Sequence, residues 1–334
     1  MYSDTVVKII AEVGVNHNGD IDLAKEMIDA AAESGASIVK FQSHIPDKEM
    51  LKDLHEHVDL LPNLYELISN VTLSYDGMFL LKDHCDRRGV EFLSTPFSLD
   101  AVDELEKMGV NSYKIGSGET DNLLLLDRVC QTGKHIFISS GLSTWKEVQR
   151  SVNFIKDRGA SFTLMQCTSS YPADPSSLNI SVLTKYKNTF NCPIGISDHS
   201  EGILSALIAI ALGVEVIEKH FTTDKNLPGT DQKSSINPDE LKALSEQSRL
   251  VIDMIGNEEE ENSDNAYPGV RDVFRHCLVA NGKLNCGDKI SIDNISTRRP
   301  AVGILASEYE GILGKNLNCD IEDGRPIFKE NINE

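Results

Sequence analysis

Ionisable and hydrogen-bonding residues break the apolar runs of this sequence at a regular spacing through its first 256 residues. The first such stretch is Ala11-Glu12-Val13-Gly14-Val15-Asn16-His17-Asn18-Gly19. Lys40 and Gln42 follow, then Ser94-Thr95-Pro96-Phe97 and Lys114-Ile115-Gly116-Ser117-Gly118-Glu119. Beyond them come Ser139-Ser140-Gly141, Gln166-Cys167-Thr168-Ser169-Ser170-Tyr171-Pro172, Ser197-Asp198-His199-Ser200 and Glu218-Lys219-His220. Lys40, Lys114 and Lys219 sit inside apolar runs, where a buried ammonium needs an anion or loses its proton. Two or three such lysines converging on one opening make a cradle for phosphate and carboxylate. Ser117, Ser139, Ser169 and Ser197 add neutral donors to it. Taken singly, a strand lysine reads first as a solvent-facing side chain and each serine first as a structural one; the weight lies in their recurrence. His199 and His220 close two successive runs. With Glu12 they form either a set of packed polar residues or a metal site, and imidazole with carboxylate suits Mn²⁺, Zn²⁺ or Fe²⁺ better than Mg²⁺. His17 serves equally as a substrate contact or as a cap in the Asn16–Gly19 turn.

These residues need a scaffold, and the sequence has one with a steady beat. Short β-branched runs alternate with longer amphipathic segments eight times. The expected strands are Val7–Val13, Ser37–Ser43, Val90–Thr95, Ser112–Gly116, His135–Ser139, Phe162–Cys167, Pro193–Ser197 and Glu215–His220. Helical patterns fill the intervals, several stopped by glycine, with Ser74 and Asp239 near helix starts. Eight βα units at this spacing predict a closed (β/α)₈ TIM barrel over residues 1–256, whose strand C-termini carry the reactive groups. An open doubly wound sheet is the second choice, and no G-x-G-x-x-G follows the first strand to support it. Pro46–Leu73 is long for a loop and is expected to cover a substrate. The acidic run Glu258–Glu261 opens a solvated linker, residues 257–270. Residues 271–334, with short strands and recurrent glycine, predict a compact β-rich domain.

Composition narrows the function. A net charge of −20 disfavours nucleic acid and anionic membrane as partners. No apolar run is long enough to span a bilayer, and the N-terminus lacks the pattern of a signal peptide. Seven scattered cysteines without a CxxC pair suggest reduced thiols in the cytoplasm.

The strand-end motifs AEVGVNHNGD, VKFQ, FLSTPF, YKIGSGE, QCTSSYPA, GISDHS and VIEKHFT resemble, in colinear order, those of the sialic acid (nonulosonic acid) synthases. The C-terminal stretch from CLVANGKLNCGDKISIDNISTRRPAVGI to EDGRPI resembles that family's antifreeze-like (SAF) domain. The resemblance implies a TIM barrel followed by a small SAF domain. It implies condensation of phosphoenolpyruvate with an N-acylated amino sugar at a divalent metal, Mn²⁺ ahead of Mg²⁺ or Co²⁺. His199 and His220 match the metal ligands, with Glu12 and Glu218 beside them. Lys40, Thr95, Lys114, Ser117, Ser139 and Ser197 match the phosphoenolpyruvate site. Gln42, Glu119, Tyr171 and Asp231 match positions facing the sugar. Arg299 matches an arginine donated to the partner subunit, which implies a domain-swapped homodimer.

In the implied chemistry phosphoenolpyruvate C3 attacks the sugar aldehyde, and Glu12 stabilises the cation at C2 or activates the attacking water. Phosphate then leaves by C–O cleavage. Ser169 stands where N-acetylneuraminate synthases of bacteria often carry Asn, Thr230 where Pro is frequent, and Phe274 is the sole aromatic of Val273–Cys277. The sugar implied first is of the N-acetylmannosamine type. A diacetamido-trideoxy hexose leading to legionaminic or pseudaminic acid is the alternative, with a sugar phosphate ranked lower. Two other readings compete: a Schiff-base aldolase using Lys114 or Lys219, and a non-enzymatic binder of carbohydrate or ice.

Overall fold

The computed structural model describes residues 7–51, 63–256 and 269–333. The chain divides into two compact units, Met1–Asn257 and Glu258–Glu334. In the first, eight parallel strands alternate with helices: β1 (Lys8–Gly14), β2 (Ile38–Ser43), β3 (Glu91–Pro96), β4 (Ser112–Ile115), β5 (His135–Ser139), β6 (Phe162–Cys167), β7 (Ile194–Asp198) and β8 (Val216–His220). Their hydrogen-bonded order is β3-β2-β1-β8-β7-β6-β5-β4. The first strand pairs with the last, which makes a barrel and excludes the doubly wound sheet. At the remaining seam β4 packs on β3, and Ser112 Oγ donates to Glu91 Oε1 at 2.6 Å.

The helices outside are α1 (Ile21–Glu33), α2 (Pro46–Glu49), α3 (Leu64–Val71), α4 (Tyr75–Arg88), α5 (Leu99–Met108), α6 (Leu123–Cys130), α7 (Trp145–Asp157), α8 (Val182–Phe190), α9 (Leu204–Ala211) and α10 (Pro238–Ile255). Side-chain oxygens of Asp20, Ser74, Ser98 and Thr144 cap α1, α4, α5 and α7. Asn237, and not Asp239, caps α10, with Pro238 in its first turn. Gly89 and Gly109 end α4 and α5 in the left-handed region. The segment Pro46–Leu73 is more structured than a loop, since it contains α2 and α3; residues 52–62 within it lie outside the described residues.

Strand side chains alternate between the barrel interior and the helix layer. Ile10, Ile38, Leu93, Phe137, Met165 and Val216 form an apolar cluster of their own in the barrel interior. Two residues further along each strand, on the same face, stand Glu12, Lys40, Thr95, Ser139, Cys167 and Glu218. The apolar plug therefore floors a polar layer. Residues of the other parity, such as Ala11, Val39, Ile138, Ile196 and Ile217, pack under the helices.

In the second unit a short helix, α11 (Val270–Phe274), precedes β9 (Cys277–Ala280), which pairs antiparallel with β10 (Ile295–Arg298). Leu278, Ala280, Leu284, Ile290, Ile304 and Leu317 are among its core. The acidic run Glu258–Glu261 lies outside the described residues. No helix among them is long and apolar enough to cross a membrane.

Candidate active site

The centre of the polar layer is a buried network of two carboxylates and two ammonium groups. Lys40 Nζ lies 2.8 Å from Glu12 Oε2 and 3.7 Å from Glu218 Oε2. Lys114 Nζ lies 3.0 Å from Glu218 Oε1. Strand register brings these groups together, because Glu12 is paired with Lys40 on one side and with His220 on the other. Lys40 Nζ also donates to Thr95 Oγ1 at 3.3 Å, and Ser197 Oγ donates to Glu218 Oε1 at 2.8 Å. Burial alone raises a carboxyl pKa. For Glu218 the two lysines outweigh it and bring the group to about 2. For Glu12 burial prevails over Lys40, and its pKa is raised. Burial depresses Lys114, whereas the two carboxylates overcome burial at Lys40 and raise it. The network is charge-balanced as it stands.

The serines do not behave alike. Ser139 Oγ is buried without a hydrogen-bond partner. Ser117 Oγ donates to Cys167 Sγ at 3.2 Å, and Ser169 Oγ lies 3.7 Å from the same sulfur. A Cβ on Gly141 would lie 2.4 Å from both serine oxygens, so a larger residue there would displace the two hydroxyls. Ser197, expected on phosphate, is engaged by Glu218 instead.

His199 and His220 stand 5.2 Å apart between ring centroids. The Nδ1 of His199 lies 2.9 Å from the carbonyl of Thr168, which takes that nitrogen's hydrogen and leaves Nε2 as a lone-pair donor. His220 Nδ1 is buried and unpartnered, 3.6 Å from Asp231 Oδ2. Burial holds the His220 pKa down at about 4. Burial also lowers that of His199, but the hydrogen bond to Cys167 more than reverses it. Two neutral-capable imidazoles with a carboxylate in register beside them fit a divalent metal of the kind imidazole prefers. No cluster of three or more His, Cys, Asp or Glu ligands occurs among the described residues, so most of the shell would fall to substrate and water.

The other expected residues are placed as follows. Tyr171 covers the two histidines, its ring 4.1 Å from His199 and 5.7 Å from His220. Asp231 faces His220. Gln42 Nε2 donates to Glu12 Oε1 at 3.1 Å, so Gln42 is bound into the network and is not simply turned toward a sugar. Glu119 accepts from Asn122 Nδ2 at 2.6 Å in the turn after β4. Lys219 is turned to the opposite face, where it pairs with Asp198 at 2.7 Å, and does not join the cradle. His17 Nδ1 accepts from the Gly19 amide at 3.0 Å, which is the capping role. Burial holds its pKa at about 4. Arg299 belongs to the second unit, where its Nε donates to His276 Nε2 at 3.3 Å and its guanidinium lies 5.7 Å from the Phe274 ring.

Sequence reasoning missed three contributors. Cys167 sits among Ser117, Ser169 and His199; burial raises its pKa, but the bond to His199 outweighs that and brings it to about 7. Asn16 and Gln232 each leave a buried amide oxygen unpartnered while their amide nitrogens tie the first and last strand-end loops together. Their positions inside polar motifs were visible; their pairing across more than 200 residues was not.

A model described as the NeuB family matches residues 27–260, and one described as the SAF domain matches residues 275–333. The chain belongs to the NeuB family. It is 38% identical over 317 residues to the N,N'-diacetyllegionaminic acid synthase of Campylobacter jejuni, covering 92% of this chain and 94% of that one. It is 36% identical over 335 residues to the enzyme of the same name from Legionella pneumophila, covering 97% and 94%. The crystal structure of an N-acetylneuraminic acid synthetase from Leptospira borgpetersenii, in complex with citrate, superposes with a TM-score of 0.71 and 33% identity over 77% of this chain and 87% of that one. The barrel and the small SAF unit together make the architecture of this NeuB-family chain.

Proposed function

We propose that this NeuB-family chain is a nonulosonic acid synthase that condenses phosphoenolpyruvate with an N-acylated amino sugar and releases phosphate. One observation carries the reading: Lys40 and Lys114 are buried, their charges held by Glu12 and Glu218, beside the unpartnered hydroxyl of Ser139. That set is suited to a small ligand with two anionic groups. On binding, Lys40 and Lys114 exchange their carboxylate partners for the phosphate and carboxylate of phosphoenolpyruvate. Ser117, Ser139 and Ser197 add hydroxyl donors, with Ser197 leaving Glu218 to do so. Glu12, freed from Lys40, faces the positive charge that develops at C2 and accepts the proton of the attacking water. Tyr171 and Asp231, on the histidine side, flank the sugar. His199 and His220 would hold Mn²⁺ or a similar ion, which supplies Lewis acidity to the sugar aldehyde oxygen when bound. Arg299 of a second copy completes the site in a homodimer.

Among sugars, a diacetamido-trideoxy hexose leads, supported by the two legionaminic acid synthase relatives; N-acetylmannosamine follows, supported by the Leptospira structure. The test supplies phosphoenolpyruvate, Mn²⁺ and each sugar in turn, reading phosphate release and product mass. Phosphate release that requires one sugar, stops with chelator, and falls at least about 100-fold in His199→Ala and His220→Ala supports the reading. Full activity in either variant would sink the metal assignment. A Schiff-base mechanism retains one favourable observation, the depressed pKa of Lys114; borohydride trapping with pyruvate would establish it, and chelator sensitivity would remove it.

A further inference from the structure

Beside the catalytic network lies a chain of side chains that the proposed reaction does not use. Gln42 Oε1 lies 2.9 Å from His44 Nε2, and His44 Nδ1 lies 2.7 Å from Glu49 Oε1. Glu49 Oε2 accepts from the backbone amide of Ile45 at 3.4 Å, which anchors the carboxylate in α2. The His44 ring stacks on Phe97 with centroids 4.3 Å apart and planes 7° apart. The His44 and Glu49 side chains are only 8% and 7% exposed. The chain therefore runs from Glu12 through Gln42 and His44 to Glu49 without a gap.

Donor and acceptor chemistry sets the direction of every link. An ionised carboxylate only accepts, so the Gln42 nitrogen must face Glu12 and its oxygen must face His44. An amide oxygen only accepts, so His44 Nε2 carries a hydrogen. A carboxylate also only accepts, so the contact between Nδ1 and Glu49 calls for a hydrogen on that nitrogen as well. Packing tightens the first link: a Cβ at Gly14 would come within 3.2 Å of Glu12 Oε1 and 3.4 Å of Gln42 Nε2. The register of β1 against β2 shifts between Glu12 and Gly14, beside this contact.

We propose that His44 is a positioning residue: bearing a hydrogen on each ring nitrogen between Glu49 and Gln42, it locks the Gln42 amide so that its NH₂ holds Glu12 as an accepting carboxylate. If the ring lost its Nε2 hydrogen, it would become an acceptor and draw the amide nitrogen toward itself. Gln42 would then turn its oxygen to Glu12, which could be met only by a protonated, catalytically idle carboxyl. The groups facing His44 are Glu49 from α2, Gln42 from β2, Phe97 after β3 and His17 after β1, the last kept neutral by burial. Glu49 is the carboxylate in ion-pair range of the ring.

The role in turnover rests on the synthase reading, but the state of the ring can be measured without substrate. Protein labelled with ¹⁵N-histidine, examined by two-bond ¹H–¹⁵N spectra near neutral pH, should show His44 among the rings with both nitrogens protonated. That signal should be absent from His44→Phe, which keeps the stack on Phe97. In Glu49→Gln the same ring should revert to a single protonated nitrogen. A wild-type His44 ring with one bare nitrogen would overturn the proposal. In turnover, His44→Phe should lower kcat about 10–100-fold with little change in KM for phosphoenolpyruvate; an unchanged kcat would also overturn it. Should His44→Phe fail to fold, the Glu49→Gln spectrum and its kcat decide. Wild-type protein that makes no product with any sugar would count against the synthase reading, while the spectra still judge the ring.

Discussion

Lys219 and Lys114 are both buried strand lysines held by a carboxylate, yet they belong to different kinds of site. On the helix side of β7 and β8, Lys219 Nζ donates to Asp198 Oδ2 at 2.7 Å and to the Ser200 carbonyl at 2.8 Å. Asp198 in turn accepts from the Ser200 amide, the Ser200 hydroxyl and Ser205. Burial raises the Asp198 pKa and Lys219 more than offsets it, while burial lowers the pKa of Lys219 itself; the hydrogen bonds around the pair leave it closed. On the interior side, Lys114 shares Glu218 with Lys40 and Ser197, and the nearby Ser139 hydroxyl has no partner. These contacts on the helix side serve the fold. Inside, the groups hold one another provisionally and can change partners. A closed pair resists substitution; an open network can accept a ligand without stranding a charge.

The contrast is sharpest in Lys219→Met, where Asp198 is left buried without its cation. The expected loss is about 3–5 kcal/mol of folding stability, read by denaturant unfolding, with turnover per folded molecule close to wild type. A collapse of turnover at unchanged stability would reverse the assignment of the two faces. Lys114→Met should do the opposite. Its kcat/KM should fall roughly 10²–10³-fold, about 3–4 kcal/mol, while its unfolding midpoint moves less than that of Lys219→Met. Equal stability losses in both variants would erase the distinction. The smallest expected effect is that of Ser139→Ala. Its hydroxyl has no partner to strand, so stability should stay within about 0.5 kcal/mol. The KM for phosphoenolpyruvate should rise about 10–100-fold, the worth of a hydrogen bond to a charged group, roughly 1.5–3 kcal/mol. An unchanged KM would place the anion elsewhere.

Much of this was legible in the chain itself. The eight-fold alternation of apolar runs and amphipathic segments reflects burial on two faces, a local property, and it led directly to the barrel. Residues at strand ends such as Glu12, Lys40, Lys114, His199, Glu218 and His220 stood out because polar side chains are costly in such runs. Less legible were the loops. Asp239 and Asn237 both fit the start of α10 by type, and only the folded backbone makes Asn237 the cap. A histidine after a strand, such as His44, carries no signal in the sequence until Phe97 and Glu49 are brought against it.

What the sequence determined alone is therefore periodicity: where strands run, and that some buried positions must carry charge. Only the tertiary structure decided which charges meet. Strand alternation sends Lys219 and its neighbours Glu218 and His220 to opposite faces, and the pairing of β1 with both β2 and β8 sets Glu12 beside Lys40 and His220. Local pattern reports that a residue is buried. Barrel closure and register, which depend on contacts across the whole chain, report what it is buried against.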